Sequence, residues 1–441
     1  LRRAVDVKSD EVSALLTAFA YFFFVLSSWF ILRPIRDASA AASGVSGLPW
    51  LWTGTLAVTL ICNPLFSTLV TRFPTRRFIP ITYQFFVLNL LGFYVLMRVV
   101  APTEGSARDL WVGRAFYVWT SMFSLFVVSV FWCFMADVFR SEQAKRLFGF
   151  IGVGGTLGSV AGSFATAILA SRIGAVNLLL VSIVLLELAV FAVMRFPVRA
   201  DGASTAVRAD EIDREPIGGS VWAGFTSIAR SRYLIGISVF LVLYTVGSTF
   251  LYFQQTDIVG RTYTDRASRT AVLARIEVVV QTLTVVTQIF FTGRFIRWVG
   301  LGAALAFLPA LTMLGFGALV AMPTFAVLSA FLVLRRAGNF ALNNPAMEVL
   351  FTVVPREDKY KAKSFIETFV YRGGDQLAAW AYAGLAALGL GLSGIALTAV
   401  PIAGVWLMLG LWLGRRQSAL AQRPPAAEPV APPLRSAVGA V

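Results

Sequence analysis

The sequence has no histidine, only two cysteines, and charged side chains at just 14% of its 441 positions. Lacking histidine, it lacks the commonest proton-shuttling side chain and the ligand that dominates zinc and haem sites. Cys62 and Cys133 both fall within long apolar runs, so neither suggests a disulfide framework. Gly154, Gly158 and Gly162 recur every fourth residue, but no Gly-Lys-Ser/Thr follows them. A Walker-type phosphate loop is therefore excluded, and small-xxx-small spacing points instead to close helix packing. No enzyme, cofactor or metal motif emerges.

What the chain does have is apolar length. Hydrophobic residues make up 57% of it and the mean hydropathy is +0.75, which no soluble domain shows. Runs of about 17–25 apolar residues, the length needed to cross a bilayer, number roughly twelve: 12–32, 48–70, 79–100, 111–136, 147–170, 174–195, 233–254, 271–292, 299–321, 324–343, 364–388 and 390–413. The fold expected is an all-α membrane protein of twelve transmembrane helices. The first run is too long for the apolar core of a signal peptide and reads as a retained helix.

Net charge is +15, and its distribution is informative. Starting from an inside amino terminus, the inside segments hold 25 lysines and arginines and the outside loops ten. Both termini are then expected in the cytoplasm. The basic balance follows from topology and gives no argument for nucleic acid. The polar stretch 199–216 divides six runs from six, and 419–441 is rich in proline and alanine. The expected organisation is a six-helix bundle over 1–198, a cytoplasmic linker over 199–232, a second bundle over 233–415 and a disordered tail over 416–441. EQAKRLFGFIGVGG (142–155) and YKAKSFIETFVYRGG (360–374) are weakly similar, as are Arg72-Phe73 and Arg294-Phe295, at an interval of about 220 residues. Two repeated six-helix halves are the architecture of the major facilitator superfamily, whose halves rock about a midplane site.

A charge at bilayer depth costs about 2.5–3.5 kcal/mol on insertion scales, so it usually lines a watery cavity. Arg335 and Arg336 lie deep in an apolar run, within FLVLRRAGNFALNN, with Asn339 one turn on. Adjacent helix positions differ by about 100°, so at most one of the two arginines points straight into a given cavity. Arg372 lies between Glu367 and Asp375, and Arg372 with Asp375 can form a local ion pair. Gly373-Gly374 argues for close backbone approach or a helix break. Arg33, Arg36 and Asp37 end the first run and share a helix face. Asp37 can pair with Arg33, leaving Arg36 freer; equally, the group can mark the outer membrane boundary. Glu277, Gln281 and Gln288, with Arg275 nearby, give the eighth run a polar stripe suited to a cavity wall or a helix contact. Glu187 is a lone acid, a proton site or an arginine partner.

These residues resemble the ATP/ADP translocase family of nucleotide transporters, in its free-living bacterial branch. The resemblance is densest in ILRPIRDA (31–38), FWCFMADVFRSEQAKRLFGFIGVGG (131–155) and LRRAGNFALNNPAMEVLFTVVPREDKYKAKSFIETFVYRGGD (334–375). It implies a facilitator-like fold and basic residues in the first and eleventh helices, at Arg36 and Arg372, holding phosphates. Guanidinium suits bidentate phosphate contact. Where the family's characterised exchangers carry lysines, this chain has those arginines, and where they carry a glutamate in the fourth helix it has Ser121.

The function expected is a monomeric secondary transporter of an organic, phosphorylated anion. Arg36, Arg336 and Arg372 form the cationic site, with Arg33, Arg335 and Asn339 alongside. Asp37, Glu367, Asp375, Glu187 and Glu277 supply charge balance or coupling. A facilitator for a siderophore, peptide-like metabolite or drug is the alternative. A non-transporting scaffold or receptor, with its arginines in structural pairs, is a third.

Overall fold

A computed structural model of the chain describes residues 11–72, 75–100, 103–139, 141–196, 226, 228–288, 290, 295, 298–354, 362–363 and 365–422. Among these, twelve helices follow the order of the twelve apolar runs. They are α1 (Val12–Ser43), α2 (Leu48–Arg72), α3 (Thr75–Val95), α4 (Ala107–Val138), α5 (Ser141–Ile173) and α6 (Leu178–Met194). The second set is α7 (Arg232–Thr262), α8 (Arg266–Thr287), α9 (Leu301–Ala321), α10 (Phe325–Gly338), α11 (Tyr371–Ala387) and α12 (Leu392–Ala421). Ten of the spans are long and apolar enough to cross a membrane unaided. The 17-residue α6 and the 17-residue α11 are shorter, and α11 is preceded by a π turn over Ile366–Val370. A second π turn, Asn339–Asn343, carries α10 on into the short helix Asn344–Leu350.

Local sequence sets several starts. Ser106, Ser231, Asp265 and Thr324 cap α4, α7, α8 and α10, each accepting a hydrogen bond from the backbone N–H three residues on. Such a cap satisfies a donor the helix leaves orphaned. That hydrogen bond to Ser268, in the connection before α8, holds the Asp265 carboxyl below the ordinary carboxylate range. Gly44, at φ 77°, ends α1 in the left-handed region that glycine occupies without a Cβ penalty.

Two boundaries differ from expectation. The first apolar run stops at 32, yet α1 continues through Arg33, Pro34, Arg36 and Asp37 to Ser43. Residues 38–42 are alanines and a serine, good enough helix formers to continue once the charges have partners. At the other end, α12 reaches Ala421, so 416–421 are helical and not part of a tail. The divider at 199–216 and everything after 422 lie outside the described residues.

Packing follows a repeated plan. The contacts of α1 with α4, α5 and α6, and of α3 with α6, recur as those of α7 with α10, α11 and α12, and of α9 with α12. The halves meet along α5–α8 and α2–α11, which are equivalent pairs, and along α1–α8 and α1–α7. Lipid is as apolar as leucine, so helices associate by close packing instead of by water exclusion. The glycines of α5 supply it. A Cβ at Gly154, Gly158 or Gly162 would overlap the backbone carbonyls of Phe19, Phe23 and Ser27 in α1, and Ser27 Oγ donates to Gly158 O at 3.1 Å.

Gly158→Val should therefore force α1 from α5 and destabilise the protein by about 3 kcal/mol, at the upper end of overpacking costs. Gly152→Ala, which meets open space, should be silent. Thermal unfolding in detergent distinguishes the two; equal midpoints would remove the packing role.

Candidate functional site

A cavity of about 970 Å3 lies between the halves, walled by α1, α2 and α4 on one side and α7, α8, α10 and α11 on the other. Glu348 and Glu367, both largely exposed, mark its mouth at the end where α1 and α7 begin, the near end. The far end is shut. Asp109 of α4 and Arg266 at the start of α8 form a buried ion pair, and Glu104 accepts from the Arg266 backbone N–H at 3.0 Å. Gln376 donates to Thr53 at 2.6 Å, and Trp50 meets Trp380 edge-to-face at 5.0 Å. A buried apolar cluster joins Ala40, Leu48 and Leu51 of the first half to Phe250, Phe253 and Ile276 of the second.

Five arginines line this cavity: Arg33, Arg36, Arg335, Arg336 and Arg372. The membrane-boundary reading of Arg33 and Arg36 is thereby corrected. Their pairing is corrected too. Asp37 holds Arg36, accepting from Nε at 3.0 Å and from a terminal nitrogen at 2.8 Å, whereas Arg33 reaches Glu277 of α8 at 3.5 Å. The same Asp37 oxygen also accepts from the Tyr252 hydroxyl of α7 at 3.0 Å. Arg36 lies over the rings of Trp29 and Tyr117 at 5.5 and 5.2 Å.

Glu277 also takes both terminal nitrogens of Arg336, so one carboxylate serves an arginine from each half. Arg335 turns the other way, as the 100° step requires. It is 2% exposed, donates to Thr312 Oγ1 at 3.2 Å and to Tyr244 O at 3.1 Å, and covers the Tyr244 ring at 5.2 Å. Its charge meets dipoles and a π face, with no carboxylate in range.

Arg372 is exposed to the cavity and makes no ion pair or hydrogen bond among the described residues. The expected local pair with Asp375 does not form, although both line the cavity. Glu367 is not an arginine-orienting group either. It pairs with Lys363 at 3.6 Å, and Lys363 also binds Glu348 at 2.7 Å, closing a small cluster at the mouth. Glu187 lies off the cavity on α6, accepting from Gln84 at 2.9 and 3.0 Å, so it partners no arginine. Asn339 lines the wall and accepts from Asn343 Nδ2 at 3.0 Å across the π turn, a feature often found at functional sites. Of the α8 stripe, Glu277 and Gln281 are buried, while Arg275 is exposed on another face.

Ser121, standing where the resemblance expects an acid, lines the cavity and donates to Tyr117 O at 2.8 Å. Hydropathy could not single out Trp52, Tyr117 and Tyr252, since aromatic residues count as apolar. Their polar ends form a chain at 3.0 and 3.3 Å that leads to Asp37.

The model of one family, TLC ATP/ADP transporter, matches residues 105–337, more than half of the chain. The chain belongs to the TLC ATP/ADP transporter family. A relative of this TLC protein is ADP,ATP carrier protein 2 of Chlamydia trachomatis, 23% identical over 489 residues, covering 93% of this chain and 89% of that one. Another is ADP,ATP carrier protein 2 of Chlamydia pneumoniae, 21% identical over the same shares of each chain. Among solved structures it is similar to a bacterial homologue of the iron transporter ferroportin in an inward-facing state (TM-score 0.62, 11% identity, 92% and 100% of the two chains). It is also similar to the nucleoside transporter NupG (TM-score 0.55, 12% identity, 95% and 100%). At these identities the structural likeness speaks for the fold, which is that of major facilitator transporters. The TLC protein is a secondary transporter and not an enzyme.

Removing one partner from a buried ion pair costs about 3–5 kcal/mol. Arg33 and Arg336 are partly wetted, at 21% and 17% exposure. Glu277→Gln should therefore destabilise by about 3 kcal/mol, near the lower bound. Adding Arg336→Gln should cost less than the sum of the single changes, because the charge left behind is gone. Additive losses in denaturation would show that the pair is not coupled.

Proposed function

We propose that this transporter exchanges a phosphorylated, nucleotide-like anion across the bacterial inner membrane by alternating access. The observation that carries this is the convergence of five arginines on a single cavity between the halves, one of them, Arg372, making no hydrogen bond or ion pair among the described residues. The relatives named as ADP,ATP carriers support the nucleotide part, and the cavity, at the top of the roughly 300–1,000 Å3 range of ligand sites, has room for it.

On this reading the near end is cytoplasmic, as the charge bias expects, and the cavity faces inward. Phosphate oxygens meet Arg36, Arg336 and Arg372, with Arg33, Arg335 and Asn339 within the same wall. Asp37, Glu277 and Asp375 limit the positive charge the empty site carries. All of the residues invoked belong to one chain, so a monomer suffices. Reorienting the empty cavity would carry Arg372 through the closed state uncompensated, at a cost that bound phosphate removes. That asymmetry favours exchange over net movement.

A charge-assisted hydrogen bond contributes about 1.5–3 kcal/mol, so Arg36→Ala and Arg372→Ala should each weaken apparent affinity roughly 10- to 100-fold. The measurement is uptake of labelled ADP into proteoliposomes preloaded with ADP, AMP, inorganic phosphate or uncharged adenosine. Uptake should require an internal phosphorylated partner. Uptake that ignores the internal solute would end the exchange claim, and unchanged uptake in both variants would end the site assignment.

A further inference from the structure

A second feature lies outside the central cavity. Between α5 and α8, on the perimeter of the molecule, is a groove of about 480 Å3 lined by Phe164, Ala167, Ile168, Arg172, Arg275 and Val279, among others. None of these residues lines the central cavity. The floor is apolar, and its edges look outward: Phe164 is 57% exposed and Val279 50%. On α8, Arg275, Val279 and the exposed Val286 follow helical spacing on one face, while Glu277 and Gln281 occupy the buried face. Arg275 therefore does not belong to the stripe that serves the transport site.

Both arginines are exposed, and neither forms a hydrogen bond or ion pair among the described residues. Three other far-end arginines behave differently. Arg98 donates to Asn177 at 2.7 Å, Arg114 lies over Trp111, and Arg266 is paired with Asp109. The depth of the pair follows from the helices. Arg172 is one residue from the end of α5, at the turn into α6, and so stands at a membrane surface. Arg275, nine residues into α8, lines the same groove and so stands close to that level.

We propose that this groove binds an anionic phospholipid, its phosphate held between Arg172 and Arg275 and an acyl chain laid over Phe164, Ala167 and Val279. Two unpartnered guanidiniums at headgroup level beside an apolar trough match a phosphodiester joined to a hydrocarbon tail. They suit it better than a free anion, which would leave the trough bare. Guanidinium suits phosphate by its paired, charge-assisted hydrogen bonds. The arginines come from different halves, so the lipid would bridge the α5–α8 seam.

The test is titration of the purified full chain with phosphatidylglycerol or phosphatidylcholine, with bound lipid read by native mass spectrometry. Each of Arg172→Gln and Arg275→Gln should weaken phosphatidylglycerol binding about fivefold, and the double variant about 25-fold. Phosphatidylcholine should bind weakly throughout, and Arg98→Gln should match the wild type. Should the double variant fail to fold, the single variants and the charge-preserving pair Arg172→Lys with Arg275→Lys remain, the latter expected to keep most of the binding. Equal affinity for the two lipids, losses in Arg98→Gln as large as in the groove variants, or displacement of the lipid by excess inorganic phosphate would each overturn the assignment.

Discussion

A guanidinium in the membrane interior must have a counter-charge, water or converging dipoles, and in this protein Glu277 is where a counter-charge serves both halves together. Arg33 comes from α1 and Arg336 from α10, and both end on the same carboxylate of α8. Remove the acid and two like charges face each other across the cavity. With it in place, α1, α8 and α10 are tied at mid-depth, and the remaining cavity groups take their positions around that tie. The Nε of Arg33 is still buried with no hydrogen-bond partner among the described residues, so even this carboxylate does not use all of its donor capacity.

The far end obeys the same constraint with the opposite outcome. Asp109 and Arg266 are 2% and 8% exposed, so neither has water to fall back on when separated. Opening that end must break the pair and expose the shared apolar cluster of Leu51, Phe253 and Ile276. Among the described residues the near-end mouth carries the wet cluster of Lys363, Glu348 and Glu367, where screening makes ion pairs worth little.

Much of this was legible from residues alone, and the misses have physical causes. Helix order followed from apolar length, since a bilayer sets the element length. The glycine spacing in α5 identified a packing face, because only small residues allow backbones so close. Arg33, Arg36, Arg335, Arg336 and Arg372 stood out as charges too deep to be ignored. Their partners did not. Asp37 was assigned to Arg33 on helical spacing, but it pairs with Arg36 and accepts from Tyr252, distant in sequence. Asp375 is well placed along the helix for Arg372, yet no pair forms, since local spacing permits contact without enforcing it. Pairing across helices depends on which faces meet, and periodicity along one helix carries no record of that. The end of α1 was misplaced for a related reason: hydropathy treats Arg33 as a boundary, whereas a buried partner lets the helix run on.

The charges that remain unmatched say where a ligand must act. Arg335 is satisfied by Thr312, a carbonyl and a ring, Arg36 by Asp37, and Arg33 and Arg336 share Glu277. Arg372, on α11, alone of the five makes no hydrogen bond or ion pair among the described residues. Its helix packs on α2 across the seam, just as α5 packs on α8, so the unmatched charge sits on an element that both halves hold. An anion that joined Arg372 to Arg36 would place an electrostatic link across the cavity parallel to the one Glu277 already makes. Two such links would hold the halves more strongly than Glu277 alone. On the proposed reading, closing force comes from the substrate's own charge, and a solute without phosphate could fill the cavity without supplying it.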